Sequence, residues 1–212
     1  MRRQNKRIGI YSGAFDPVHV GHVGFALQAI KAARLDQVVF MPERSPRRKR
    51  GIEHYAHRVA MLQQAIAPYP KMSVLELADK QFTVHRTLPQ LQKLFGAQLV
   101  ILLGSDVVSH LPNWPYYEEL LKICELAVGV RGDDSFDMVH TMIQSWSVRP
   151  QSLHLFQSYS PQVSSTTIRE GLARGERAEG LLTSVKRYVV AEWLYISIVH
   201  AYDQAKAHHA RQ

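Results

Sequence analysis

Two histidines, His19 and His22, stand three residues apart in the stretch SGAFDPVHVGH. Gly13 and the Asp16-Pro17 pair precede them and predict a turn that leads into a helix beginning near His19. At a helix start, side chains three positions apart lie on one side of the first turn, where exposed N–H groups and the helix dipole attract an anion. We therefore predict that both imidazoles converge on one phosphate.

Two other roles for this histidine pair are open. A zinc site uses histidines at short spacing, but it needs further ligands, and no Cys or Glu follows at a suitable distance. A structural role in the core or on the surface requires no ligand at all. Because the histidines sit in a strand–turn–helix context, we favour the phosphate hypothesis and expect no metal ligand in the protein.

A second polar cluster lies at 164–167, where Ser-Ser-Thr-Thr is followed by Arg169. Thr167 and Glu170 have the spacing of a capping box, which explains one or two of these hydroxyl groups. Four hydroxyl residues and a guanidinium at a predicted helix start can also bind phosphate oxygens. We therefore predict a second phosphate-binding site here.

The formal net charge of +8 is concentrated in two stretches, the start of the chain and the segment RSPRRKR at 44–50. In the first stretch the charge comes from Arg2, Arg3, Lys6 and Arg7. Such a field attracts polyphosphates and nucleic acid, although solvated basic surfaces are common in their own right.

Short apolar runs alternate with helical patterns along the chain, which predicts an α/β fold with a doubly wound, Rossmann-like parallel sheet and helices on both faces. The predicted strands are 7–11, 37–41, 72–77, 98–104, 126–130 and 152–156. The predicted helices are 20–34, 54–67, 84–95, 115–123, 134–146, 165–174 and one from about 183 onward. The first helix is predicted from Val23, Leu27 and Ile30, which share one face with Ala26 and Ala33 beside it. Ligands of such sheets bind at the carboxyl ends of the strands, where the strand order reverses.

Length and composition predict one domain over residues 1–212, with a core of about 7–195 and an extension at 196–212. Of the residues, 46% are hydrophobic, and the single cysteine, Cys124, lies in an apolar stretch where we expect it to pack in the core. One cysteine excludes an internal disulfide and suggests a reducing compartment. No run of about 18 apolar residues is present. We expect a cytoplasmic protein with no membrane partner.

The first motif, SGAFDPVHVGH, resembles the (G/S)-x-F-D-P-x-H-x-G-H signature of the nucleotidylyltransferase superfamily. VSSTTIRE at 163–170 resembles the I-S-S-T-x-I-R box of the nicotinate and nicotinamide mononucleotide adenylyltransferases. The segments 82–88, 104–114 and 185–195 also resemble bacterial nicotinate-nucleotide adenylyltransferases. Two departures concern the acceptor: His85-Arg86 replaces an acidic residue of the family, and SPRRKR matches the P-P-H-K loop only loosely.

The resemblance implies an enzyme that moves AMP from ATP to nicotinate mononucleotide, giving deamido-NAD and pyrophosphate, with Mg²⁺ bound mainly through the ATP phosphates. It implies that His19 and His22 are catalytic. The implied ATP-binding residues are Ser12, Gly13, Phe15, Gly104, Asp106, Ser164, Ser165, Thr166 and Arg169. Lys49 is our candidate in the basic loop for the triphosphate, and the arginines at 47, 48 and 50 are open for the same role. The implied acceptor-binding residues are Thr83, His85 and Trp114. We expect no nucleic-acid partner, and a homo-oligomer is open.

Two alternatives remain. The acceptor could be nicotinamide mononucleotide or another nucleotide, although the positive charge of His85-Arg86 favours the carboxylate of nicotinate. A different class is a non-catalytic regulator that binds nucleotides or RNA, with salt-dependent affinity.

Overall fold

A computed structural model describes residues 6–47, 49, 51–132, 134–158 and 162–195. The predicted extension 196–212, the basic residues Arg2 and Arg3, and Arg48 and Arg50 of the basic loop lie outside this range. The strands are β1 (Arg7–Gly13), β2 (Gln37–Pro42), β3 (Met72–Val74), β4 (Gln98–Gly104), β5 (Glu125–Val130) and β6 (Leu153–Gln157). The helices are α1 (Val20–Ala32), α2 (Tyr55–Ile66), α3 (Val84–Phe95), α4 (Ser105–Val108), α5 (Tyr117–Ile123), α6 (Phe136–Gln144), α7 (Ser165–Ala173) and α8 (Thr183–Ala191), with a 3₁₀ turn at Leu111–Asn113.

The six strands form one sheet in the order β3-β2-β1-β4-β5-β6, and every neighbouring pair is parallel. The chain winds outward from β1 in one direction and then returns to add β4 on its other side. The strand order therefore reverses between β1 and β4, where a crevice for ligands is expected at the carboxyl ends. The predicted doubly wound, Rossmann-like fold is confirmed.

Hydrophobic residues cover both faces of the sheet, because successive side chains of a strand point to opposite sides. In β4, Val100 and Leu102 join the core cluster that includes α1, α2 and α8, whereas Leu99 and Ile101 join the cluster that includes α3, α5 and α6. Cys124 is fully buried in the second cluster, as predicted. Burial raises the pKa of its thiol to about 12, so it is an unreactive core residue.

The apolar face of α1 departs from the predicted one only at Leu27, since the other residues of the predicted face are buried or pack against the core. Leu27 is 43% exposed, and the helix packs through Phe25, Ala26 and Ala29, which are fully buried. Small residues allow the helix backbone to approach the sheet closely, so the buried stripe follows the alanines rather than the largest aliphatic side chain. The prediction for Leu27 was wrong for this reason.

The third strand is shorter than the predicted 72–77. The ladder between β2 and β3 includes a bond from Val38 N to Lys71 O at 2.8 Å and one from Leu75 N to Phe40 O at 2.9 Å. The next donor along β2 would be the nitrogen of Pro42, which carries no hydrogen. The ladder therefore stops at this point, although the sequence stays apolar.

Arg7 is not part of a free basic field, which corrects the charge prediction for this residue. Its guanidinium makes two bonds to the carboxylate of Glu125, at 2.8 and 2.6 Å, and the same carboxylate lies 2.7 Å from His154 Nε2. This network lies at the amino ends of β1, β5 and β6.

Within the described ranges, none of the helices is long and apolar enough to cross a lipid bilayer.

Candidate active site

A cavity of about 790 Å³ opens at the carboxyl ends of β1 and β4, the place where the strand order reverses. Its walls come from the loop after β1, the basic loop after β2, helix α4 with the turn that follows, and the start of α7. Nine predicted site residues line it: Ser12, Gly13, Phe15, His22, Lys49, Gly104, Asp106, Trp114 and Ser165.

The two histidines form the first turn of α1. His19 is the N-cap and accepts a hydrogen bond at Nδ1 from the backbone N–H of Gly21 at 3.1 Å. His22 reaches back and accepts at Nδ1 from the backbone N–H of His19 at 3.2 Å. The ring centroids are 3.8 Å apart, so the two imidazoles lie on one side of the turn, as predicted. His22 lines the cavity, whereas His19 is 5% exposed beside it.

These backbone contacts fix the tautomer of both rings. A nitrogen that accepts a hydrogen bond carries no proton, so a neutral imidazole bonded in this way carries its proton on Nε2. Each histidine therefore has an Nε2–H group left to donate. In His22 this group belongs to a ring that borders the cavity, where it can donate to an anion.

Both rings are held in the neutral form. Burial, followed by the charges of Arg131 and Lys49, lowers the pKa of His19 to about 4. Burial, followed by His19 and the same two cations, holds the pKa of His22 well below its ordinary value of 6.5. The cationic surroundings that oppose protonation favour a bound polyphosphate.

The hydroxyl-rich start of α7 lies beside the histidine turn. Ser165 Oγ donates to the carbonyl of Pro17 at 3.0 Å, and Arg169 Nη1 donates to the carbonyl of Asp16 at 2.6 Å. The N-cap is Ser164, which accepts from the backbone N–H of Thr167 at 3.1 Å, so the predicted capping role of Thr167 was wrong. The helix begins one turn earlier than that pattern requires.

Of this second motif, only Ser165 lines the cavity. Thr166 Oγ1 lies 3.4 Å from Arg169 Nη2, and neither these two side chains nor Ser164 line the cavity. The two predicted phosphate-binding motifs, about 150 residues apart in sequence, thus meet at one edge of the cavity.

Glycines allow close approaches in the cavity wall. A β-carbon at Gly13 would lie 3.2 Å from Cζ of Phe15, whose ring packs edge-on against His22 with centroids 5.1 Å apart. A β-carbon at Gly104 would collide with the carboxylate of Asp106. Gly104 therefore leaves the space into which Asp106 turns.

The aromatic side of the cavity is formed by Phe82 and Trp114, with ring centroids 6.3 Å apart. Thr83 is the N-cap of α3 and His85 is exposed against Tyr116, and neither borders the cavity. The structure thus brings Trp114, but not Thr83 or His85, to the cavity.

The charge predicted for Arg86 is partly neutralised. Its guanidinium lies 3.3 Å from the carboxylate of Asp79. The extra positive charge near the acceptor is therefore carried by the cavity cations Lys49 and Arg131 rather than by a free Arg86.

Arg131 is a cavity residue that the sequence argument missed. It directly follows β5, its backbone N–H donates to Ser105 Oγ at 3.1 Å, and its guanidinium lies over the Phe25 ring at 5.8 Å. The available signal was its position, because the end of β5 lies at the same edge of the sheet as the ends of β1 and β4.

Glu43 was also missed. It borders the cavity, and its Oε1 accepts from Ser12 Oγ and from the backbone N–H of Phe82, both at 3.1 Å. This carboxylate therefore joins the phosphate side of the cavity to its aromatic side.

Comparison with known proteins identifies the family of this chain. Residues 10–171 match the model of the cytidylyltransferase-like family. A "probable nicotinate-nucleotide adenylyltransferase" of Coprothermobacter proteolyticus is 32% identical, covering 91% of this chain and 96% of the relative. A protein of the same printed name from Bordetella avium is 30% identical, covering 90% and 98%.

The chain belongs to the cytidylyltransferase-like family, in the branch of the nicotinate-nucleotide adenylyltransferases. The predicted family and nucleotidyltransferase class are therefore confirmed. The structure of Plasmodium falciparum nicotinic acid mononucleotide adenylyltransferase complexed with NaAD has a TM-score of 0.72 at 18% identity, covering 90% of this chain and 97% of that one. At this identity the likeness supports the fold alone.

Proposed function

We propose that this chain transfers AMP from ATP to nicotinate mononucleotide, giving deamido-NAD and pyrophosphate. The observation that carries the proposal is the pair of neutral imidazoles with fixed Nε2–H groups, set beside Lys49 and Arg131 in a cavity at the strand-order reversal. The printed names of the relatives support the choice of substrates.

The reaction needs no nucleophile on the protein. An oxygen of the acceptor phosphate, already an anion, attacks the α-phosphorus of ATP, and a new P–O bond forms. The bond between the α-phosphorus and the bridging oxygen breaks, and its electron pair leaves with pyrophosphate. Positioning and charge neutralisation therefore carry the rate.

The cavity side chains have separate tasks in this scheme. The Nε2–H of His22, supported by His19, donates to the α-phosphate as its negative charge grows. Lys49, Arg131 and the start of α7 neutralise the β- and γ-phosphates. Ser12 and Asp106 lie where the nucleoside of ATP would enter, and we assign Asp106 to the ribose hydroxyls.

The residues present fit Mg²⁺ that arrives bound to ATP. Within the described ranges, no group of three or more His, Cys, Asp or Glu side chains is placed to hold a metal ion by itself. Glu43, one cavity carboxylate, is already engaged by Ser12 and Phe82. Mg²⁺ accepts mainly phosphate oxygens and water as ligands, and it would supply further charge neutralisation at the triphosphate.

We assign the pyridine ring of the acceptor to the aromatic side of the cavity, where Trp114 offers a stacking surface. Thr83 and His85 stay predictions for this subsite, since His85 would contact the ring only after a local rearrangement. The cavity holds several cations, and this favours a ring carboxylate over an amide.

The test is pyrophosphate release with ATP and each mononucleotide in parallel, on the wild type and on Trp114→Leu. We expect faster turnover of nicotinate mononucleotide than of nicotinamide mononucleotide. The Trp114→Leu variant should raise the KM of the acceptor about tenfold, within the range of aromatic stacking, while the KM of ATP serves as the internal control and stays unchanged. Faster turnover of the amide would replace nicotinate as the proposed acceptor.

Absence of pyrophosphate release with either nucleotide, together with salt-dependent RNA binding, would instead support the regulator hypothesis. A single domain and a cytoplasmic location also stay predictions for this chain, and whether it forms a homo-oligomer stays open. Size-exclusion chromatography with light scattering measures the oligomeric state directly.

A further inference from the structure

A buried carboxylate, Asp16, lies at the junction of four chain segments around the cavity. It is 1% exposed, and its Oδ1 accepts from the hydroxyl of Tyr195 at 2.7 Å and from the backbone N–H of Glu53 at 3.1 Å. Its Oδ2 lies 3.6 Å from Arg169 Nη1 and has no hydrogen bond to any described part of the chain. Asp16 thus connects the loop after β1, the end of the basic loop, helix α7 and the stretch after α8.

Burial of a carboxylate is costly unless nearby positive charge and hydrogen bonds compensate it. Arg169 supplies this charge 3.6 Å from Oδ2, and the guanidinium of Arg58, which is not paired with Asp16, adds a longer-range attraction. Arg58 is fully buried and donates to the carbonyl of Ala14 at 2.6 Å, and Arg169 donates to the backbone carbonyl of Asp16 itself. The side chain of Arg169 is 28% exposed, so it alone of the two can also reach a ligand.

The guanidinium of Arg169 therefore contacts Asp16 twice, at its carbonyl oxygen and at its carboxylate. The orientation of that carboxylate is set in turn by its other partners. Among the partners of this carboxylate, the hydroxyl of Tyr195 is the side-chain donor. Burial, followed by the nearby charge of Asp16, raises the pKa of this hydroxyl, so it keeps its proton and donates at neutral pH.

We propose that Tyr195 and Asp16 are positioning residues that orient the guanidinium of Arg169 toward the triphosphate of ATP. The stretch after α8 thereby becomes part of the site, although Tyr195 is 179 residues from Asp16 in sequence. This inference rests on the proposed function, because it assigns Arg169 to the phosphates of ATP.

The test is a double-mutant cycle between Tyr195→Phe and Arg169→Ala, with Tyr188→Phe as the matched control. Tyr188 lies in α8, and its hydroxyl is 2.9 Å from His57 Nδ1, away from Asp16. The probe is an ATP analogue with a methylene bridge between the α- and β-phosphorus atoms, titrated by calorimetry. Nicotinate mononucleotide is titrated separately, and thermal unfolding is followed for every variant.

In the wild-type background, we expect Tyr195→Phe to raise the Kd of the analogue about five- to tenfold, because one hydrogen bond to a charged group is lost. In the Arg169→Ala background, Tyr195→Phe should raise the Kd of the analogue by less than about twofold. Tyr188→Phe should change neither affinity, and nicotinate mononucleotide should bind all tyrosine variants alike.

Equal losses in both backgrounds, or a loss shared by the analogue and nicotinate mononucleotide, would overturn the positioning role and indicate a general defect in folding. A wild type that does not bind the analogue would overturn the proposed function itself. A wild type that binds it, with Tyr195→Phe binding equally well, would overturn this inference alone.

Discussion

The two edges of the same sheet handle charge in opposite ways. At the amino edge, Glu125 is 7% exposed and is paired with Arg7 and His154. At the carboxyl edge, Arg131 and Lys49 form no ion pair with a described residue. Burial, together with these two charges, keeps the imidazoles of His19 and His22 neutral.

The two edges of the sheet therefore have different tasks, stabilisation of the fold at the amino edge and ligand binding at the carboxyl edge. The amino edge is complete without a ligand, because its charges satisfy one another within the chain. The carboxyl edge keeps Lys49 and Arg131 without an ion pair to a described residue, so an anion from outside can bind them. Stabilising contacts and binding contacts are thus placed at opposite ends of the same strands.

The amino edge should matter for stability and not for turnover. Replacing Glu125→Gln leaves Arg7 without its acid, and we expect the free energy of unfolding to fall by about 2–3 kcal/mol, since both partners of Glu125 keep some access to water. Urea unfolding measures this loss, and kcat should remain at the wild-type value. The exposed Glu119→Gln is the matched control, and a Glu125→Gln variant as stable as that control would remove the contrast between the edges.

Acid should weaken the carboxyl edge before the amino edge. Because folding lowers the pKa of His19 and His22 from 6.5, the unfolded chain binds more protons below that pH, and stability falls as the pH drops through it. We expect about 1 kcal/mol per histidine to be lost between pH 7 and 5.5.

The carboxylate of Glu125 responds at lower pH. Burial raises its pKa, but the hydrogen bonds from Arg7 and His154 outweigh burial and hold the pKa below 4.5. Its contribution is therefore full above 4.5 and is lost as the pH falls through the lowered value. Urea unfolding between pH 7 and 4 should show a loss of stability between pH 7 and 5.5 that comes from the histidines. Replacement of both histidines should abolish this loss. A loss of stability confined to pH below 4.5 would contradict the expected order of the two edges.

The positive charge of Arg131 should affect both the binding of ATP and the protonation of His19. We expect Arg131→Gln to lower kcat/KM for ATP about tenfold, the effect of one charged hydrogen bond, and to raise the pKa of His19 above about 4. Kinetics and NMR titration of the histidine rings measure the two effects, with the exposed Arg177→Gln as control. An unchanged His19 titration would show that Arg131 does not contribute to keeping this ring neutral.

The sequence predicts the strands, the long helices and the histidine turn because each depends on local spacing. The alternation of apolar runs places all six strands, and residues 19 and 22 meet because a helix brings positions i and i+3 together. The ends of elements depend on neighbours instead. The stop of β3 comes from Pro42 on another strand, and the exposure of Leu27 from how closely α1 approaches the sheet.

Long-range contacts of the site could not be predicted in the same way. Arg131 required knowledge of which strand ends share an edge, and the link between Tyr195 and Asp16 spans 179 residues. Hydrogen bonds of this kind follow from the packing of separate segments, and spacing along the chain carries no trace of them.

The role of the His22 imidazole is tested by the turnover of His22→Ala at saturating ATP and nicotinate mononucleotide, measured as pyrophosphate release. Loss of one preorganised donor to the α-phosphate predicts a fall in kcat of about 10²–10³, with the fold retained. His140→Ala, an exposed histidine of α6, should keep the wild-type rate. Synthesis of the dinucleotide by His22→Ala at the wild-type rate would contradict the claim that this imidazole stabilises the reacting phosphate.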